Sequence, residues 1–87
     1  MSYAVRLHED AAEALHRLDP SIRKRLVKRI AAMREKPPRR HMRSGLDFFA
    51  EEVGQYRIVF TCEANQKVVY FVGNQKDYEK WYSKRKR

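Results

Sequence analysis

Between Gly54 and Tyr82 the chain reads GQYRIVF, a short break, then KVVYFVGNQKDYEKWY, and this stretch limits the possible folds more than any other. Tyr56, Ile58 and Phe60 alternate with Arg57, Val59 and Thr61, the period of two that a pleated strand imposes on its side chains. Arg57 therefore leaves the strand on the face opposite Ile58 and Phe60. If those two pack under helices, Arg57 stands on the open face of the sheet, within reach of a ligand. Val68 to Val72 follows as an almost wholly apolar run of β-branched and aromatic residues, the pattern of a central strand buried on both faces. A polar turn and a short aromatic-rich helix complete the stretch.

Upstream, Tyr3, Val5 and Leu7 alternate with Ala4, Arg6 and His8, which predicts a first strand with His8 as a surface or edge residue near its end. Glu9 or Asp10 is placed to cap a helix whose stripe is Ala11, Ala12, Leu15 and Leu18. Asp19-Pro20 ends it, because proline disfavours helical geometry in the residue before it and suits the first turn of the next helix. That second helix is expected from Pro20 to about Glu35, with Ile22, Leu26, Ile30 and Met33 as its stripe and Val27 and Ala31 widening it. Lys36-Pro37-Pro38 stops it. A basic loop, Arg39 to Gly45, leads into a strand expected over Leu46–Val53. Val53-Gly54-Gln55 reads as one hairpin turn, where glycine accepts a positive φ. Glu63 to Gln66 reads as another, and Asn74 as the cap of the last helix. Two helices in a hairpin need a sheet to cover their apolar stripes. The expectation is one α+β domain over residues 1–87, in the order β-α-α-β-β-β-α. About four strands form an antiparallel-dominated sheet under the N-terminal helical hairpin. A short C-terminal helix follows, and residues 83–87 form a basic, flexible tail.

Charge narrows the partners. Twenty Lys and Arg face eleven Asp and Glu, a formal +9, and fourteen of the twenty lie between Ser21 and Arg43 or in Lys84–Arg87. Such focused positive charge collects polyanions, nucleic acid or an acidic protein surface. No run approaches the roughly 18 apolar residues of a membrane helix. MSYAVRLHED carries acids where a secretory leader would be apolar. Cys62 is the only cysteine, so no internal disulfide is expected and a reducing cytoplasm fits best. No cofactor is indicated, and no histidine or carboxylate stands at metal-ligand spacing from His41.

Cations and aromatics on one surface are what RNA recognition uses, for phosphates and unstacked bases respectively. A ribonuclease working through side chains needs a group to take the ribose 2′-hydroxyl proton, one to stabilise the pentavalent phosphate and one to protonate the leaving oxygen. Arg57 suits the second role, and His41, Lys76 or a tyrosine such as Tyr82 the others. Arg39, Arg40, Arg43, Gln75, Tyr78, Trp81, Lys84 and Arg85 are the candidate RNA contacts. Trp81 and Tyr82 serve equally well to pack the last helix on the sheet.

The layout, with its Tyr-Arg-Ile-Val-Phe strand and Phe-Val-Gly-x-x-Lys-x-Tyr-x-Lys-Trp-Tyr ending, resembles the RelE/ParE superfamily of type II toxin–antitoxin toxins, from Tyr3 to about Tyr82. RHMRSGLDFFAEEVGQYRIVF is similar to a RelE-like branch with a basic, His-containing loop before the second strand. That resemblance implies a cytoplasmic toxin that cuts mRNA at the ribosomal A site without metal, held inactive by a cognate antitoxin. It implies that Arg57 stabilises the cleaved phosphate and that Tyr82, or Trp81 beside it, transfers a proton or stacks on a base, with Lys76 and Gln75 near another basic position. The chain departs from the pattern in having Phe49-Ala50-Glu51-Glu52 where ribosome-dependent members carry lysines. It also has Gln75 where relatives often have histidine, which leaves His41 as the only histidine near the expected site. Alternatives are a ParE-like toxin that poisons DNA gyrase without cutting RNA, and a degenerate toxin that only binds an antitoxin. If the basic segments contact phosphates, affinity for RNA or ribosomes falls steeply with added salt. A salt titration of binding, with and without Lys84–Arg87, measures this; a flat response removes the role.

Overall fold

The computed structural model describes residues 2–36 and 48–85. Elements run β1 (Ala4–Leu7), α1 (Glu9–His16), α2 (Pro20–Ala32), β2 (Phe49–Val53), β3 (Tyr56–Glu63), β4 (Gln66–Asn74) and α3 (Gln75–Arg85), the expected order. One four-stranded sheet has the order β1-β4-β3-β2. β2, β3 and β4 pair antiparallel, and β1 runs parallel to β4. The apolar run is thus central, and the fold is α+β.

The helical hairpin covers one face. Ala11 and Leu15 of α1, and Leu26, Ile30 and Met33 of α2 and its C-terminal end, are buried with Val53, Ile58, Phe60, Val69 and Val72. Each such large side chain contributes about 1.5–3 kcal/mol on burial. The stripes are narrower than expected: Ala12 and Ala31 are exposed, as is Val27 at 46%. β2 is seen from Phe49, and Leu46 and Asp47 lie outside the described residues together with Arg39, Arg40, His41 and Arg43.

Helix ends correct two expectations. His8, not Glu9 or Asp10, caps α1: its backbone is extended and its Nδ1 accepts a hydrogen bond from the Asp10 amide at 3.1 Å. Glu9 and Asp10 are already inside the first turn, where their charges favour the positive end of the helix. α2 ends at Ala32 rather than near Glu35, and Lys67 of β4 holds one carbonyl at its C-cap and another just beyond it. The Lys67 ammonium donates to the Met33 carbonyl at 2.7 Å and to the Lys36 carbonyl, and lies over the rings of Tyr3 (4.5 Å) and Phe60 (5.3 Å). Only 1% of Lys67 is exposed. A cation at a helix C-terminus satisfies carbonyls that lack intrahelical partners and complements the dipole there.

β4 does not alternate cleanly. Val59 pairs with Phe71 while Phe60 pairs with Val69, so Tyr70 is an extra residue, a β-bulge. Strict alternation would send Val69 and Val72 to opposite faces; with the bulge both reach the helix-covered core. The apolar run therefore fills the core from two valines and sends its aromatics to the other face.

Replacing Lys67 by methionine keeps most of the volume but strips the two carbonyls of their donor. Chemical denaturation should show a loss of about 1–3 kcal/mol. Burial pushes the Lys67 ammonium below the ordinary lysine value of 10.5, against the smaller opposing pull of Cys62 and Glu51. The folded state thus binds fewer protons than the unfolded one between the lowered value and 10.5. The advantage of wild type over Lys67→Met should therefore grow as pH rises through that window.

Candidate functional site

Arg57 leaves β3 on the face away from the helical hairpin, as alternation requires, but that face is not open. α3 lies on it. Only 21% of the Arg57 side chain is exposed, and its guanidinium carbon stands 4.8 Å from the centre of the Tyr78 ring. On the other side the Glu52 carboxylate reaches Nη2 at 3.0 Å. Glu52 and Arg57 are direct cross-strand partners next to a two-residue hairpin loop, Gly54-Gln55. Glu51, one residue earlier, points to the opposite face and pairs with Arg29 of α2 at 3.1 Å.

α3 is positioned from both ends of its first turn. Asn74 Oδ1 accepts a hydrogen bond from the Asp77 amide at 2.8 Å, the cap expected from the sequence, and the Gln75 amide donates to the Gln55 carbonyl at 3.1 Å. The helix thus starts against the hairpin that carries Arg57, with Tyr78 one turn later above the guanidinium. Gly73, the cross-strand partner of Arg57, leaves room for a ring to fold back: a Cβ there would meet Phe71 Cζ at 2.7 Å.

Around this point lies a continuous aromatic layer. Tyr78 is tilted against Phe71 at 6.2 Å and stacked with Tyr82 at 5.9 Å. Trp81 meets Phe71 at 5.6 Å and the edge of Phe48 at 5.3 Å. Phe48 meets Tyr70 at 5.8 Å, and Tyr70 meets His8 at 5.2 Å. Burial raises the Tyr78 phenol above the ordinary value of 10.0, Arg57 pulls it down, and Tyr82 adds to the rise. Tyr78 is therefore a neutral hydroxyl at physiological pH, able to donate a proton or a hydrogen bond.

Of the residues singled out from sequence, Arg57, Tyr78, Trp81 and Tyr82 come together on this face, with Trp81 inside the ring layer that packs α3. Gln75 and Lys76 are exposed in the first turn of α3, and the Gln75 side chain donates from Nε2 to Glu79 Oε2 at 3.5 Å. Lys84 is exposed near the end of α3. The helix runs through Arg85, so the tail expected from Ser83 is helical for its first three residues. Arg39, Arg40, His41 and Arg43 lie outside the described residues, so no position is assigned to them. Sequence reasoning missed Glu52, Phe48, Tyr70 and His8 as neighbours of the site. For Glu52 the signal was available: counting outward from the two-residue loop pairs it with Arg57. For Tyr70 it was not, because the bulge breaks the alternation. Among the described residues no three His, Cys, Asp or Glu side chains group so as to hold a metal ion.

No protein-family model and no curated protein matches the sequence. Solved structures do match, as folds. A RelBE toxin–antitoxin complex from Mycobacterium tuberculosis aligns with a TM-score of 0.79 at 23% identity, over 86% of this chain and 100% of that one. A free mutant form of the Escherichia coli toxin RelE aligns at 0.78 and 22%, over 94% and 93%. The archaeal RelE–RelB complex from Pyrococcus horikoshii aligns at 0.70 and 16%, over 86% and 97%. The chain has the fold of the RelE toxins.

The Arg57–Tyr78 contact is open to a direct check. Arg57→Gln removes the cation that holds the Tyr78 phenol down, so its ionisation should move to still higher pH. Ultraviolet titration of tyrosinate in the two proteins reads this shift; unchanged curves would mean that the two groups are not in contact in solution.

Proposed function

We propose that this protein is the toxin of a type II toxin–antitoxin pair, an endoribonuclease that cuts mRNA on the ribosome and so stops translation. The observation that carries the reading is the setting of Arg57: a guanidinium held between a carboxylate at 3.0 Å and a tyrosine ring at 4.8 Å, on an aromatic face of a RelE-type sheet. Arg57 holds the scissile phosphate and stabilises the charge that builds on it as the 2′-oxygen attacks, a role that gains strength where solvent is partly excluded. Tyr78, Tyr82 and Trp81 offer ring faces to bases next to the cut, and Tyr78 and Tyr82 offer hydroxyls. Lys76, Lys84 and Gln75 extend the RNA path along α3, and Arg39, Arg40, His41, Arg43 and Arg85 are the further cations and imidazole that the sequence offers to it. The solved complexes with this fold are toxin–antitoxin pairs, and a cognate antitoxin that covers the Arg57 face is the partner assigned here.

The test is induction in growing cells of wild type beside Arg57→Ala, with primer extension on a translated message. Cuts within codons should appear with the wild type and fall by about 10²-fold or more in the variant, while its melting temperature stays close to wild type. Growth arrest with intact messages would instead place the protein with gyrase poisons. Loss of folding in the variant would remove the assignment of Arg57.

A further inference from the structure

Nothing in the comparison with known folds assigns the carboxylate beside Arg57. We propose that Glu52 is a catalytic residue, the acceptor of the 2′-hydroxyl proton in the cleavage proposed above, on which this inference rests.

The placement argues for it. The acceptor must lie within one ribose of the group that holds the phosphate, since the 2′-oxygen attacks the phosphorus of its own nucleotide's 3′-phosphate. Glu52 Oε2 is 3.0 Å from Arg57 Nη2, and 66% of its side chain is exposed, so a ribose hydroxyl can reach it. A guanidinium has five N–H donors in a planar fork, so Arg57 can keep Glu52 on one nitrogen and take phosphate oxygens on others. The same ion pair fixes the carboxylate's position, which is what a proton acceptor needs for efficient transfer. The other described groups fit less well. Tyr78 is a protonated phenol and therefore a donor. Glu51 is on the opposite face with Arg29, and Lys76 is a cation in the first turn of α3.

The step balances. The 2′-hydroxyl proton passes to the Glu52 carboxylate as the 2′-oxygen bonds to phosphorus. The bond from phosphorus to the 5′-oxygen breaks, and that oxygen takes a proton from water. The products are a 2′,3′-cyclic phosphate and a 5′-hydroxyl, and Glu52 then returns its proton to solvent.

The experiment is single-turnover cleavage of a translated message on purified ribosomes by wild type, Glu52→Gln and Glu52→Asp, with a melting curve for each. Glutamine should slow the cleavage step by about 10²-fold or more and leave the half-saturating protein concentration unchanged or lower. Aspartate, which keeps a carboxylate on a shorter stem, should recover part of the rate. Glutamine at the wild-type rate overturns the proposal, as does a loss seen only as weaker binding. Faster cleavage overturns it too, because Glu52 would then merely compete with phosphate for Arg57. If wild type itself leaves the message intact, the endoribonuclease reading fails and takes this one with it; in every other overturning outcome the wild type still cuts.

Discussion

One extra residue in β4 makes the rest of the molecule possible. By slipping the β3–β4 ladder at Tyr70, the bulge lets Val69 and Val72 both enter the core under α1 and α2. It also puts Tyr70 and Phe71 on the far face, where Phe48 and Trp81 meet them. A regular strand would have offered each face a mixture. As built, the sheet has one face of valines, Ile58 and Phe60 that takes the helical hairpin and an aromatic face that takes α3. Arg57 stands on the second because β3 keeps its alternation on the near side of the bulge, and Gly73 opposite gives Phe71 space to lie back.

The positive charge of the chain divides by task. Arg23 of α2 donates to the His16 and Leu18 carbonyls, at 3.3 and 3.1 Å, and Arg29 pairs with Glu51. These cations fasten the helix to its neighbours. Lys67 closes the other end of α2 from inside the sheet. Lys24, Arg25 and Lys28 are exposed on the same helix, which packs on the face opposite the aromatic layer. The exposed charge on α2 therefore lies on the side of the sheet away from Arg57.

Periodicity made the elements legible. Period two marked β1 and β3, the four-four-three spacing of Ile22, Leu26, Ile30 and Met33 marked α2, and Gly54 and Asn74 marked a turn and a cap that the structure contains. What escaped is what periodicity cannot encode. Lys67 looks like a polar strand residue until the C-terminus of α2 is placed above it. The bulge depends on how two strands fit, and nothing in VVYFV announces it. Val27 sits on an apolar stripe by sequence yet stays exposed. For the site, the strand face of Arg57 was legible and its surroundings were not, since the covering by α3 is a tertiary fact.

The acidic pair on β2 then takes on a different meaning from its first reading as a loss of lysines. A carboxylate as exposed as Glu52 holds its arginine through a well-screened ion pair, worth about 0.2–1 kcal/mol. The ring contact with Tyr78 adds a similar amount, about 0.5–1 kcal/mol. Neither is large against the attraction of a phosphate backbone for a chain of net charge +9, so in the cleavage proposed above the phosphate can draw on Arg57 at little cost. Together the two contacts fix the direction of the guanidinium along the sheet, which a free surface arginine would lose to side-chain entropy. A lysine in place of Glu52 would raise the local charge but repel Arg57 from its station. With Glu52 there, the surroundings of Arg57 carry one cation fewer than a lysine would give and hold the guanidinium in a single, defined orientation.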